Sequence, residues 1–600
     1  MNFYATFSIP FIVGVVTMFV VLIVKYGSWI FGLSAADRMR IVKGIPSRQT
    51  PLAVWEVVRE SLLHRRIFKV NPLLGYMHMS LAFGWFLLIV VGWIETVAYL
   101  GFRYVPLHGH VFFKYFATEL PHKPVFDFLM DLLLLFVLSG VTLAFGKRIY
   151  SQAMGMHRTT RHVLGDRIAL SVLWLIFPAR LLAESITCAL HGGGGFLTGT
   201  IGEWMAHHVN PIVLQTLYEP LWWAYSICLG LFFIVLPFSR YMHIFTEIPL
   251  IFLRRYKLHS TEKEGSFDRF QTDACSRCGI CIDPCQLQSE LGIDDVQSVY
   301  FLRDRRYNHL RQSVANNCLM CGRCEQRCPV GIELNTLRLN SRDTMRNTPD
   351  EKRYEYFQGV DRSAGEGRVG YFAGCMTLLT MERIFKASGE EVWWADKEGG
   401  VCCGRPLKLS GETDSARKMM DYNIALFRKH RITTLVTSCP ICLKVFREEY
   451  HLEGIEVLHH SEYMLRLIRD GRLQLRRGAQ TFTYHDPCEL GRGSRIYDQP
   501  REVIEAVGVL LEPAQTREHA LCCGSSVANT AISDAQQLRL ARSVAKELSA
   551  TGAGTIVTAC PLCKKAIARG ADGREVLDLA EVVAAALVSK TVAAVPDKGV

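Results

Sequence analysis

The sequence predicts a multi-domain chain: an all-α bundle of five transmembrane helices, then a small helical cysteine domain, then a duplicated α/β unit that also carries cysteines. Three observations lead there. All the long apolar runs fall before about residue 250, and 18 of the 20 cysteines fall after it. Within the last third, one cysteine pattern occurs twice. At about 150 residues per domain, 600 residues are too many for a single module. With 49% hydrophobic residues, 21% charged residues and a mean hydropathy of +0.14, the chain is too apolar to be disordered or wholly water-soluble.

In the first block (residues 1–250), stretches able to cross roughly 30 Å of hydrocarbon, about 20 helical residues each, lie near 6–31, 73–99, 124–146, 168–190 and 212–239. The first does not read as a cleaved signal. No Lys or Arg precedes Lys25, and the apolar run is too long. Lys and Arg number eight in 33–70 and five in 147–167, against three in 101–123 and none in 191–210. This bias predicts an N-terminus outside and everything after Arg240 in the cytoplasm, as in a multi-pass protein of the cytoplasmic (inner) membrane. The net charge of +11 is then explained by these loops and by Arg254, Arg255 and Lys257 beside anionic membrane lipid. No basic stripe with interleaved aromatics appears, so no nucleic acid partner is expected.

The second block (260–350) is read from sulfur spacing. Cys275, Cys278, Cys281 and Cys285 give C-x2-C-x2-C-x3-C; Cys318, Cys321, Cys324 and Cys328 repeat it and close with Pro329. This is the bacterial two-cluster ferredoxin run, in which the fourth cysteine of each group crosses to the other cluster. Two 4Fe–4S cubane clusters are therefore expected, one on Cys275, Cys278, Cys281 and Cys328, the other on Cys318, Cys321, Cys324 and Cys285. Pro284 stands before the first run's fourth cysteine rather than after it, which bears on that cluster's potential more than on its presence. Disulfides do not suit a reducing cytoplasm. Structural zinc uses two C-x2-C pairs, not a duplicated run of four.

Beyond a charged linker at about 341–366, GYFAGC at Cys375 corresponds to TYHDPC at Cys488, VCCG at Cys402 and Cys403 to LCCG at Cys522 and Cys523, and TSCPIC at Cys439 and Cys442 to TACPLC at Cys560 and Cys563. These mark two copies, 366–475 and 480–590. Each reads as strand, turn, helix: TLVTS and TIVTA are short β-branched strands that run through Cys-Pro into an amphipathic helix. Helix N-termini there favour thiolate over thiol. Five sulfurs are one too many for a cubane and suit a more open iron–sulfur assembly.

The duplicated pattern resembles the cysteine-rich CCG domains of heterodisulfide reductase catalytic subunits. The resemblance implies one or two noncubane 4Fe–4S clusters on Cys375, Cys402, Cys403, Cys439 and Cys442, and on Cys488, Cys522, Cys523, Cys560 and Cys563. In the first copy 26 residues separate the leading cysteine from the doublet, against 33 in the second, which leaves that first cluster's type open. The five-span block resembles the gamma subunit of respiratory nitrate reductase. The whole order of domains is similar to fused membrane iron–sulfur oxidoreductases, some of which link electron-transfer flavoprotein to the quinone pool.

That likeness implies haem b, which needs two imidazoles at one depth. Only His78 clearly lies inside a span, and no partner is found on another, so haem b stays unsupported; His64 and His243 can still approach each other at the cytoplasmic surface. His78 reads equally as a hydrogen-bonded interhelical residue or as a group at a quinone pocket. The spaced pairs Arg180/Glu184 and Asp127/Asp131 are costly in hydrocarbon and read either as functional groups or, the favoured account, as side chains snorkelling toward the far interface. Cys188 and Cys228 read as packing residues.

No G-x-G-x-x-G opens a helix after a strand in the cytoplasmic half, so neither flavin nor nicotinamide is expected there. The leading expectation is a membrane-bound iron–sulfur oxidoreductase joining the quinone pool to a cytoplasmic redox protein, with electron-transfer flavoprotein as the first partner to test. Without haem, quinone would react near the cytoplasmic face, around His78 and 240–250, moving little net charge across the membrane. A second expectation is reduction of a disulfide, with Cys402, Cys403, Cys522 and Cys523 catalytic. A third is a non-catalytic anchor and scaffold.

Overall fold

The computed structural model describes residues 3–150, 160–261, 265–345, 361–375, 380–397, 400–527, 529 and 531–588. The middle of the charged linker lies outside these.

Among the described residues, five helices are long and apolar enough to cross a membrane: Thr6–Phe31, Pro72–Leu100, Pro124–Ile149, Leu164–His191 and Pro211–Phe238. Three of them open with proline at the first helical position, where no amide is needed. Asn71 and Asn210 cap two of these starts, accepting from the amides of Leu74 and Ile212 at 3.0 and 2.9 Å. Outward-facing side chains such as Ile23, Ile89 and Leu175 stay exposed, as a lipid-facing surface requires. The first and fifth spans cross glycine against glycine: a methyl group on Gly14 would stand 2.4 Å from the carbonyl oxygen of Gly230.

The basic stretch between the first two spans is helical rather than a plain loop. Helices Ala35–Gly44 and Gln49–Val57 lead into a π turn, Val58–Leu62. His64 then takes a left-handed conformation, φ 51°, before the short helix Arg65–Val70. Wide turns and left-handed non-glycine residues are held by their surroundings and concentrate at functional sites.

The second block packs on one end of the bundle and shares its core. Phe270 lies between Tyr26 and Trp29 of the first span, with ring centroids 5.9 and 5.0 Å away. Arg277 pairs with the fully buried Asp166 at the start of the fourth span.

Each cysteine-rich copy is a four-stranded parallel sheet. The strands are β1 (Val369–Phe372), β2 (Val392–Trp394), β3 (Thr434–Thr437) and β4 (Glu456–His459), then β5 (Thr481–His485), β6 (Val509–Leu510), β7 (Thr555–Thr558) and β8 (Val576–Asp578). Their orders, β2-β1-β3-β4 and β6-β5-β7-β8, are the same topology. Register agrees too, with Val369 opposite Thr434 in one copy and Phe482 opposite Thr555 in the other. The two sheets share one core, including Tyr371, Phe446, Tyr484 and Val583.

Candidate functional site

The chemistry-bearing cysteines collect where the backbone can present them. In the second block both C-x2-C-x2-C loops wind alike: the residue two after the first cysteine and the glycine four after it have positive φ, at Arg277 and Gly279 and again at Met320 and Gly322. This winding turns amides inward, making a concavity for a negatively charged group. The amide of Met320 reaches Cys318 Sγ at 3.4 Å.

The sulfurs group as the crossover pattern requires. Cys275, Cys278, Cys281 and Cys328 ring one cavity. Cys285, Cys318, Cys321 and Cys324 ring the next, with Cys281 on its edge. Burial pushes the Cys275 and Cys285 thiols up to about 12, so each thiolate needs a positive centre in place of its proton. A soft, all-thiolate donor set suits iron–sulfur.

In the cysteine-rich copies, the sulfurs sit at the carboxyl ends of the parallel strands, where such sheets bind ligands. Cys439 and Cys560 are the capping residues of helices Pro440–Glu448 and Pro561–Gly570. Cys488, Cys522, Cys523, Cys560 and Cys563 line a single pocket, with Cys523 and Cys563 sulfurs 3.2 Å apart. The doublets behave alike: Cys402 beside it and then Cys442 pull the Cys403 thiol well down, and Cys522 and Cys563 do the same to Cys523. The copies differ at their leading cysteine, since Cys375 is exposed while Cys488 is half-buried.

These sets adjoin one another. Cys321 is pulled down to about 5, first by its contact with Cys522 of the second copy. The Gln286 amide brackets Cys522, accepting from its N–H at 2.7 Å and donating to its carbonyl at 3.1 Å. Arg492 donates to the carbonyls of Cys321 at 2.6 Å and Ala520 at 2.8 Å. Pro440 and Ile441 of the first copy line the second copy's pocket.

At the other end, a cavity of about 170 Å³ lies where the second block meets the bundle. Its walls include Trp85, Trp174 and Phe232, the cations Lys147, Arg148, Arg240 and Arg277, and four histidines, His64, His78, His162 and His243. Lys147 Nζ donates to the carbonyl of Cys278 at 3.3 Å, so the cavity abuts the first ferredoxin set.

The histidine partner that no other span supplies comes from the π-turn segment: the His64 and His78 rings lie 5.6 Å apart, centroid to centroid. His243 lines the same cavity. His64 Nδ1 donates to Leu62 O at 3.0 Å and His243 Nδ1 to Arg240 O at 2.7 Å, which makes Nε2 the acceptor nitrogen of each neutral ring, while His78 Nε2 is buried without a partner among the described residues. Burial lowers His64 and pushes His243 down to about 3, so both are neutral imidazoles. Sequence reasoning missed His162, likewise pushed down to about 3 by burial and then by Arg240. It also missed Glu247, which burial pushes up to about 7. Neither belongs to a spacing motif.

The expected snorkelling does not occur. Arg180 and Glu184 are both buried and paired at 2.9 Å, Asp127 pairs with Lys114 at 2.6 Å, and Asp131 accepts from Thr198 Oγ1 at 2.8 Å. These groups turn into the bundle and satisfy one another. Cys188 is buried and Cys228 half-buried.

Comparison with known proteins picks out the same cysteine-bearing segments. Residues 369–447 and 482–568 match the CCG family, described as a cysteine-rich domain, and 271–332 match a 4Fe-4S dicluster domain. The chain is 22% identical to the EtfAB:quinone oxidoreductase of Syntrophomonas wolfei over 94% of its own length and 95% of that protein's. It is 27% identical to one component of the dihydromethanophenazine:CoB–CoM heterodisulfide reductase of Methanosarcina mazei, over 55% of this chain and 81% of the other. An uncharacterised iron–sulfur protein of Methanococcus maripaludis is 26% identical over 41% of this chain, which spans just 56% of that protein.

Proposed function

We propose that this CCG-domain iron–sulfur oxidoreductase of the heterodisulfide reductase group carries electrons between a quinone in the membrane-block cavity and a soluble redox partner at the first cysteine-rich copy. One observation carries the reading: the cavity and the cysteine sets form an unbroken series. Arg277 lines the cavity and belongs to the loop of Cys275, Cys321 meets Cys522, and Pro440 beside Cys439 lines the second copy's pocket. Two 4Fe–4S cubanes on the ferredoxin sets and noncubane clusters on the five-cysteine sets supply one-electron transfer.

This chain's residues do the rest. Trp85, Trp174 and Phe232 offer flat apolar walls to a ring, and Lys147, Arg148 and Arg240 meet negative charge on its oxygens. Burial brings Glu247 to about 7, so near neutral pH it can both take up and release a proton. Reduction of a quinone takes two electrons and two protons, and Glu247 is placed to deliver one of the latter. The positive-inside bias of the loops supports a cytoplasmic location for the cysteine domains.

The pH dependence follows from the sign of that shift. Because burial raises Glu247 to about 7, its proton is present below that pH and lost above it. Quinone reduction should slow as pH rises through about 7, and Glu247→Gln should be slower below it and flatter across it. Stopped-flow rates at graded pH test this; an unaltered profile in the variant removes Glu247 from proton delivery.

Haem b is a second occupant that the cavity favours. His64 and His243, each oriented by a carbonyl at Nδ1, and His78, whose Nε2 has no partner among the described residues, would hold such a group, and the cations would suit its carboxylates. A haem held there would supply one-electron transfer beside the first ferredoxin set.

By analogy with the Syntrophomonas relative, electron-transfer flavoprotein is the partner to test. Reduced flavoprotein mixed with membranes containing this chain should bleach it and convert menaquinone to menaquinol. No turnover excludes that partner, and no bleaching by any reduced flavoprotein counts against a docking site at the first copy.

A further inference from the structure

The end of the bundle away from the cysteine domains contains a second polar site that the electron series does not use. Glu95 lies 17 residues beyond His78 on the same helix, about 25 Å along its axis. It lines a small pocket with Lys114, Asp127, Asp131, Arg180 and Glu184. Four carboxylates thus face two permanent cations.

Three of the carboxylates are provided for. Asp127 has Lys114 at 2.6 Å, and Glu184 has Arg180 at 2.9 Å. Asp131 accepts from the amides of Leu197 and Thr198 at 2.7 and 2.9 Å and from Thr198 Oγ1, at the start of helix Thr198–His208, where the helix dipole favours negative charge. Glu95 is the remainder. It is only 7% exposed and makes no hydrogen bond or ion pair among the described residues. An isolated carboxylate buried in hydrocarbon is among the costliest groups a fold can hold.

We propose that Glu95 binds one exchangeable monovalent cation, a proton or a sodium ion. One unpaired carboxylate matches one positive charge. A divalent ion would leave one positive charge uncompensated, since the other three carboxylates are already matched. The other titratable or charged groups around the pocket are His110 and Lys114 on the segment after the second span, Asp127 and Asp131 on the third, Arg180, Glu184 and Cys188 on the fourth, and Tyr225 on the fifth. The inference is independent of which occupant fills the histidine cavity.

Dicyclohexylcarbodiimide, an apolar reagent, tests this on the full-length holoprotein in proteoliposomes. The O–H of a protonated carboxyl adds across one C=N bond of the reagent, and the resulting O-acylisourea rearranges to a stable N-acylurea detectable by peptide mass mapping. Glu95 should be modified in preference to Asp127, Asp131 and Glu184. If the cation is a proton, labelling falls about tenfold per unit as pH rises above the group's own pKa. If it is sodium, labelling at fixed pH falls when sodium replaces choline. Labelling of Glu95 no stronger than that of Glu184, or indifferent to both pH and sodium, overturns the proposal. As a second measurement, Glu95→Gln should lose the thermal stabilisation that sodium or acid confers on the natural protein; equal responses in the two proteins also overturn it.

Discussion

Replacing Cys522 with alanine should lower flavoprotein-to-quinone turnover by about a hundredfold or more, while the corresponding change in the first copy, Cys402→Ala, should leave the membrane side of the series intact. The reason is position, not chemistry. Cys522 touches Cys321 and is bracketed by Gln286, so it belongs to the junction between the ferredoxin domain and the second copy. Cys402 packs with Leu407, Ala416 and Met419 inside its own copy. EPR of protein reduced from the quinol side should show signals from both ferredoxin sets in either variant. The second copy's signal should survive in Cys402→Ala and vanish in Cys522→Ala. Equal loss of turnover with equal loss of that signal would mean that the two copies are not ordered in series. Thiol release from a disulfide, if the protein catalyses it, should depend on Cys403 and Cys523 together; an unchanged rate in either variant argues against that activity.

His78→Ala should abolish quinone reduction, again by about a hundredfold or more, and leave bleaching by the soluble partner intact. The loss follows from His78 standing in the cavity wall with His64 stacked against it. The same variant separates the two occupants. If His64 and His78 hold a haem, the variant loses a sharp visible band along with turnover. If they face a quinone alone, the spectrum is unchanged while quinone binding is lost. Full activity in His78→Ala would place the quinone elsewhere.

Much of the site was legible in the chain because cluster ligation is a local matter. Three corners of a cubane must be met by one tight loop, so Cys275, Cys278 and Cys281 are recognisable from spacing, and the fourth cysteine's crossover follows from the duplication. The CCG copies were legible for a related reason, since Cys439 and Cys560 lie at strand-to-helix steps that short β-branched runs and Cys-Pro announce, and the doublets repeat between the copies. Helical spans of about 20 apolar residues declare themselves by length. Spacing brought His64 near His243 and His78 near 240–250, but it did not show which imidazole would face His78. His64 sits in a stretch that reads as basic loop, and only the π turn and its left-handed backbone bring it onto His78. Arg180 and Glu184 read as snorkelling residues because helix position does not say which face is turned inward.

Composition and spacing alone therefore determined that this is a membrane-block protein with a dicluster domain and two cysteine-rich copies, since hydrocarbon thickness and thiolate spacing both act over a few helical turns or one loop. The tertiary structure alone decided that the cysteine sets adjoin one another beside a histidine-lined cavity and that Arg180 with Glu184 and Asp127 with Lys114 pair within the bundle. Those facts depend on which faces of separate elements pack together, and such contacts are set by the whole core at once, beyond the reach of any local pattern.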